Sequence, residues 1–170
     1  DKYIILKYLG KGTFSKVWLV VNVVQNEYFA LKIQESKYNE DMEEEIRILN
    51  HIQKGLNLSD TKCYVDYNFG VLIDNFSIKL NGLNCQCMIL ELLGPSVGLI
   101  CEEEYDSVLN TKIIRKIIYD LVKGLEIIHS KGIIHSDLKP DNVLLKQNTP
   151  EIEEYIKKID TLGIGNNFEE

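Results

Sequence analysis

The first third of the chain alternates short apolar runs with turn residues. YIILKYL, KVWLVVNV and EYFALKI are rich in β-branched and aromatic residues, which suits strands. GKGTFS separates the first two and VQN the next two, so the pattern predicts a three-stranded antiparallel meander. The period then changes. Asn39 is placed to cap a helix whose first turn carries Glu40, Asp41, Glu43 and Glu44, acidic residues that suit the positive end of a helix dipole. Ile46, Leu49 and Ile52 follow at helical spacing, which predicts a helix over about residues 39–53.

After the loop GLNLSDTK come FGVLIDNFSIKL and LNCQCMILELL, joined at Asn81-Gly82, a dipeptide that favours a tight hairpin. Five strands and one helix therefore fill residues 1 to about 91. LLGP ends that pattern at Gly94 and Pro95. Further on, Asn110 is placed to cap TKIIRKIIYDLVKGLEIIHS. Ile113, Ile114, Ile117, Ile118, Leu121, Leu125 and Ile128 give that segment one wide apolar face, as in a helix buried in a core. HSDLKPDN, a short strand VLL, a polar loop QNTPEIEE, a second short strand YIKKI and the turn DTLGIGNN follow. There is no repeat, and nothing reads as a flexible linker between independent domains.

Composition narrows the class. The 170 residues allow one real core and at most two small domains. A net charge of -7 argues against a nucleic-acid interface, which needs a basic face, and is compatible with a basic partner. No apolar run is long enough to span a membrane, and DKYIILKY lacks a signal-peptide profile. Cys63, Cys85, Cys87 and Cys101 form no CxxC pair, so reduced structural thiols and a cytoplasmic or nuclear setting are expected.

Four stretches carry candidate chemistry. Gly10 and Gly12 lie between two strands, where backbone without a Cβ can approach a phosphate and offer its N–H groups; a two-glycine hairpin turn explains them equally well. Lys32 sits in a strand between Leu31 and Ile33. On an inner face its charge would need a partner, with Glu45 the first candidate and Glu44 the second, whereas strand alternation also permits it to face outward. Asp137 lies in a loop between a helix and a strand, suited to accept a proton from a hydroxyl. Lys139 can neutralise charge on a transferring phosphoryl group, and Asn142 can offer an amide oxygen to magnesium, with Pro140 stiffening the loop. In DTLG, Asp160 is a natural magnesium ligand.

A glycine loop, a strand lysine, a helix glutamate, HxDxKxxN and a terminal DxxG occur here in one order. In this the sequence resembles the eukaryotic protein kinases. Through GKGTFSKVWLV, LIDNF, CMILELLG and HSDLKPDNVLL it is most similar to the SR-protein kinases, which phosphorylate serines of arginine/serine-rich proteins. The resemblance runs from Tyr3 to about Gly163. It implies an α+β, bilobal protein-kinase-like fold, with a complete N-lobe over 1–91 (a five-stranded antiparallel sheet plus one helix) and the hinge and first part of the helical C-lobe over 92–170. It implies ATP and Mg2+ as cofactors, a basic arginine/serine-rich protein as substrate, and no membrane or direct nucleic-acid partner.

The resemblance also implies roles. Gly10 and Gly12 would cover the ATP phosphates, and Val17 and Ala30 would sandwich the adenine. Lys32, held by Glu45, would contact the α and β phosphates. Leu90 would back the nucleotide, and the backbone from Glu91 to Leu93 would bond the adenine edge. Asp137 would take the substrate proton, Lys139 would contact the γ-phosphate, and Asn142 and Asp160 would bind magnesium. Three departures stand out. The order Asp160-Thr161-Leu162-Gly163 carries one residue more than the usual Asp-apolar-Gly turn, so either Asp160 or Thr161 takes the metal position. A pseudokinase or nucleotide-binding scaffold without phosphotransfer is therefore the alternative. The chain stops soon after that turn, which reads as a fragment or one piece of an interrupted kinase and leaves the 110–130 helix incompletely covered. Ser136 stands where many kinases carry an arginine, so activity is expected not to need activation-loop phosphorylation.

Overall fold

The computed structural model describes residues 2–56, 67–103 and 111–146. They fall into two compact units, one holding 2–56 with 70–92, the other 67–69 with 93–103 and 111–146.

In the first unit, strands β1 (Tyr3–Lys11), β2 (Ser15–Asn22) and β3 (Glu27–Gln34) precede helix α1 (Asn39–Gln53). Strands β4 (Leu72–Leu80) and β5 (Leu83–Glu91) follow it. They form one antiparallel sheet in the order β1-β2-β3-β5-β4. The buried Asn22 shapes the β2–β3 turn: its Oδ1 accepts from the amides of Val24 and Gln25 at 3.0 and 3.2 Å. The β4–β5 hairpin turns on Asn81 and Gly82, both in the left-handed region at φ 50° and 80°, which is why this dipeptide closes a two-residue turn.

Strand alternation sorts the apolar residues onto two faces. Val20, Phe29, Leu31, Cys87 and Ile89 form a buried cluster on one face, with Tyr3, Trp18 and Phe76 against it. On the other, Met88 and Leu72 pack against Met42 of α1, bordered by Ile46, Leu49 and Leu90. Tyr3 stacks on Phe76 at 6.2 Å, and Lys2 Nζ reaches Asp74 Oδ2 at 2.7 Å, so the β1 and β4 edges of the curled sheet are tied together. Helix α1 has the expected bounds, but Asn39 is not its cap. Asn39 is the first helical residue, the capping position falls to Tyr38 without a side-chain bond, and the Asn39 amide reaches β5 instead.

The second unit contains strand β6 (Leu93–Ser96), helix α2 (Val97–Glu103), helix α3 (Thr111–Ser130), a 3-10 turn at Pro140–Asn142 and strand β7 (Leu144–Lys146). Strand β6 pairs antiparallel with β7, Leu93 opposite Lys146 and Ser96 opposite Leu144. Ser96 Oγ accepts from the Leu99 amide at 3.1 Å and so caps α2. Neither β6 nor α2 is signalled by the hydrophobic pattern, because Gly94 and Pro95 read as a break. The apolar face of α3 is only partly covered, in line with the incomplete cover expected of it: Gly124 and Ile128 are buried, while Ile113 and Ile118 are 50% and 54% exposed. Asn110 and the strand expected at YIKKI lie outside the described residues. No helix among the described residues is long and apolar enough to cross a membrane.

Candidate active site

The register places the expected nucleotide-side residues on one face of the sheet. Val17 lies opposite Lys32, Lys32 opposite Met88, and Ala30 opposite Leu90. Residues directly opposite each other share a face, as do residues two apart. Val17, Ala30, Lys32 and Leu90 therefore share the face on which α1 packs. This excludes the outward-facing alternative for Lys32. Its Nζ donates to Glu45 Oε1 and Oε2 at 2.8 and 2.6 Å. Glu44 bonds Arg47 instead. The lysine and glutamate side chains are 22% and 43% exposed, so the pair is open to a ligand oxygen.

The glycine loop is partly strand. Gly10 still pairs with Val17, and nothing lies within 4 Å of where its Cβ would stand, which leaves a clear approach to its backbone. The Gly12 amide donates to Ser15 O at 2.9 Å, closing the turn. At the tip, the Phe14 ring lies 3.9 Å from that of Tyr38, and the Glu35 amide donates to Phe14 O at 3.1 Å. The tip is thereby tied to the turn that precedes α1. Sequence reasoning passed over Leu9, the extra residue of a bulge between Tyr8 and Gly10, which is 45% exposed beside the loop. An apolar residue directly before the first glycine was its available signal.

Beside the expected adenine edge, one backbone group is already bonded. The Glu91 amide donates to Val71 O at 3.0 Å, and Glu91 Oε1 accepts from the Val71 amide at 3.1 Å. The Glu91 N–H thus bonds strand backbone, and the expected adenine contact falls on its C=O and on the backbone to Leu93. Leu93 begins β6.

In the second unit, α3 ends on Gly132 at φ 74°, with Gly132 N–H bonding His129 O at 2.9 Å and Ile133 N–H bonding Ile128 O at 3.3 Å. This pattern of crossed terminal bonds needs a left-handed residue, which glycine adopts without penalty. It turns the chain into the loop that carries Asp137. Ser136 sits at φ 62°, and the Asp137 amide donates to His135 O at 2.9 Å, making a tight three-residue turn. A left-handed non-glycine residue in such a turn is strained, a cost that concentrates at functional sites.

The 3-10 turn then folds Asn142 back onto Asp137. Asn142 Nδ2 donates to Asp137 O at 2.8 Å and to Asp137 Oδ2 at 2.9 Å. Lys139 Nζ stands 3.3 Å from the same carboxylate oxygen. The Lys139 hydrogen bond, then that from Asn142, hold the Asp137 carboxyl below its ordinary value, so it stays ionised. The side chain is 66% exposed, within reach of a macromolecular substrate. Below the loop is an apolar cavity of about 260 Å³, lined by Val97, Ile117, Leu121, Leu138, Pro140, Val143 and Lys139. Among the described residues no three His, Cys, Asp or Glu side chains converge on a metal position. Asp160 and Thr161 lie outside the described residues. The Asn142 amide nitrogen is spent on Asp137, which leaves its oxygen as the hard donor that suits magnesium.

A strand lysine paired to a helix glutamate, a glycine loop and an Asp-x-Lys-x-x-Asn loop thus occur in one chain. Comparison with known proteins agrees. The family model described as protein kinase domain matches residues 3–170. Serine/threonine-protein kinase spk-1 of Caenorhabditis briggsae is 34% identical over 90% of this chain and 13% of its own length. Dual specificity tyrosine-phosphorylation-regulated kinase 3 of Homo sapiens is 30% identical over 86% of this chain and 24% of its own length. The crystal structure of a kinase domain superposes with a TM-score of 0.73 at 26% identity, over 85% of this chain and 40% of the other. The chain therefore spans about a quarter or less of these two curated relatives. With the fold, the order of the motifs and the family match in agreement, the chain belongs to the protein kinase family.

Proposed function

We propose that the chain performs ATP-dependent, magnesium-dependent phosphotransfer to a serine or threonine hydroxyl, as the kinase part of a serine/threonine protein kinase. The observation that supports this best is the exposed Asp137 carboxylate, kept ionised by Lys139 and oriented by Asn142. An acceptor hydroxyl bonded to that carboxylate would pass it a proton as its oxygen bonds to the γ-phosphorus of ATP, while the bond from that phosphorus to the β,γ-bridging oxygen breaks and ADP leaves with the electron pair. The Lys139 ammonium offsets negative charge on the phosphoryl oxygens. In the first unit, Lys32 is held by Glu45 to meet the α and β phosphates, Gly10 and Gly12 offer backbone to them, and Val17, Ala30 and Leu90 give adenine an apolar surface. The backbone from Glu91 to Leu93 would hold the adenine edge. Asn142 and Asp160 are the oxygen donors that would hold Mg2+, which when bound neutralises charge on the phosphates.

The finer part of the proposal is an SR-protein-kinase-like preference for serine in arginine/serine-rich proteins. Its support is the net charge of -7, which suits a basic substrate, and the local phrases quoted above. A second reading, a pseudokinase or nucleotide-binding scaffold, is favoured by the extra residue in Asp160-Thr161-Leu162-Gly163. The test is a magnesium-ATP titration followed by a transfer assay on an arginine-serine peptide and on a serine peptide without arginine. Binding with transfer to the first peptide supports the full proposal. Equal transfer to both removes the substrate preference, binding without transfer favours the scaffold, and absence of binding overturns both readings.

A further inference from the structure

Helix α1 carries Glu45, and Glu45 holds Lys32. Besides the apolar packing of Met42, a pair of side-chain amides ties α1 to the sheet at its two ends. Asn39 is the first residue of α1 and Gln53 the last. Asn39 Nδ2 donates to Asn84 O at 2.9 Å, and Asn39 Oδ1 accepts from the Gln86 amide at 3.0 Å. Gln53 Nε2 donates to Leu72 O at 3.0 Å, and Gln53 Oε1 accepts from the Leu72 amide at 2.7 Å. Each amide therefore engages strand backbone with both its donor and its acceptor.

These contacts complete hydrogen bonding that the sheet leaves open. Strand β3 pairs with β5 from Glu91 to Cys87 and stops there, at Ile33. Asn84 and Gln86 come next along β5, and the Asn39 amide takes up their backbone groups where a further strand residue would otherwise bond. Leu72 opens β4, is buried, and has its backbone N–H and C=O bonded by Gln53. Gln86 strengthens the first clamp by donating from Nε2 to Glu43 Oε1 at 2.8 Å. Neither clamp is a helix cap, since both bond strand backbone and not the helix's own terminal amides.

The consequence concerns Glu45. It lies six residues from one clamp and eight from the other. A slide of α1 by one residue, about 1.5 Å, would take its carboxylate out of hydrogen-bond range of Lys32. We propose that Asn39 and Gln53 are positioning residues, whose amides clamp both ends of α1 to β5 and β4 and so keep the Lys32–Glu45 pair assembled in the free protein. The Lys32–Glu45 pair then needs no ligand, phosphate or partner to bring the helix in. This rests on the kinase reading for its catalytic meaning, although the clamp itself is a property of the fold.

The test uses the full chain with Asn39→Ala and Gln53→Ala, each alone and combined with Glu45→Ala. Amide hydrogen exchange reads α1 in the free protein, and kcat/KM for magnesium-ATP reads the pair. Each clamp variant is expected to speed exchange in α1 about tenfold while β2 and β3 hold. Each should lower kcat/KM about tenfold in the native background but less than about twofold when Glu45 is already alanine. Gln53→Met keeps the length and apolar stem of the side chain and loses both bonds, and it replaces Gln53→Ala if that variant does not fold. Unchanged exchange in α1 overturns the proposal. So do equal losses of kcat/KM in both backgrounds, which would show the residues acting on stability and not through Glu45. If the native chain binds no magnesium-ATP, the kinase reading fails, and exchange alone still decides whether the amides hold the helix.

Discussion

Replacing Gly124 by alanine separates two opposing effects whose balance the structure decides. In an open helix, alanine is favoured over glycine by about 1 kcal/mol, so the substitution would stabilise α3. Gly124, however, is buried against the backbone of Asn68. An added Cβ would overlap the Asn68 carbonyl oxygen, and would lie 3.1 Å from the carbonyl carbon and 3.3 Å from the Asn68 Cβ. Comfortable carbon contacts need about 3.5–4.0 Å, so either α3 or the Asn68 segment must shift by several tenths of an ångström or more. The neighbour is backbone and cannot swing aside, and overpacking of this kind costs about 1–3 kcal/mol. Taking the upper part of that range for a backbone clash and subtracting the propensity gain leaves a net loss of about 1–2 kcal/mol. Urea denaturation followed by helical signal should show a lower midpoint with an unchanged slope. Glu126→Ala, on the exposed side of the same helix, should stay within about 0.5 kcal/mol of the native chain. A raised midpoint for Gly124→Ala would mean that Asn68 does not pack on α3 at this point.

Three other outcomes follow from the same geometry. Lys139→Ala removes the first cause of the low Asp137 pKa; since a carboxylate with a lowered pKa loses its charge only as pH falls through that value, the acid limb of kcat/KM should move to higher pH, and a stationary limb would count against the pairing. Burial alone would raise the Asp74 carboxyl, but the hydrogen bond and charge of Lys2 outweigh it and set it below its ordinary value. The pair therefore stabilises the fold above the ordinary carboxylate range and loses its effect as pH falls through the lowered value, so Asp74→Ala should cost about 0.5–1 kcal/mol at neutral pH; no loss in a thermal melt would dismiss the bridge between β1 and β4. Burial pushes the Cys87 thiol up to about 11, whereas Cys101 is exposed, so iodoacetamide at neutral pH should label Cys101 and spare Cys87; mass spectrometry showing early label on Cys87 would contradict its burial.

Much of the first unit was legible because its signals are local. β-Branched runs, Asn81-Gly82 and the 3.6-residue period of α1 each report a backbone preference that burial reinforces. Asn39 shows the limit of such signals. Its residue type suits a cap, but a bond to β5 is made across the fold, and no local pattern carries it. Strand β6 and α2 were missed for a related reason: Gly94 and Pro95 are turn residues by propensity, and pairing with β7 overrides that preference. The wide apolar face of α3 was read correctly as apolar, yet the pattern cannot say which part of the face is covered. In the candidate site, residue types and order pointed to Lys32, Glu45, Asp137, Lys139 and Asn142. The left-handed turn at Ser136 and the spent amide of Glu91 depend on backbone geometry, which side-chain identity does not reveal.

In the proposed phosphotransfer reaction, Asp137 takes the acceptor proton. The most direct measurement compares the native chain with Asp137→Ala for magnesium-ATP affinity and for phosphate transfer to an arginine-serine peptide. Expected are transfer by the native chain, a loss of about 10²- to 10⁴-fold in the variant, and a nucleotide Kd unchanged within about twofold. Undiminished transfer by the variant, or a collapse of nucleotide affinity along with it, would contradict that role.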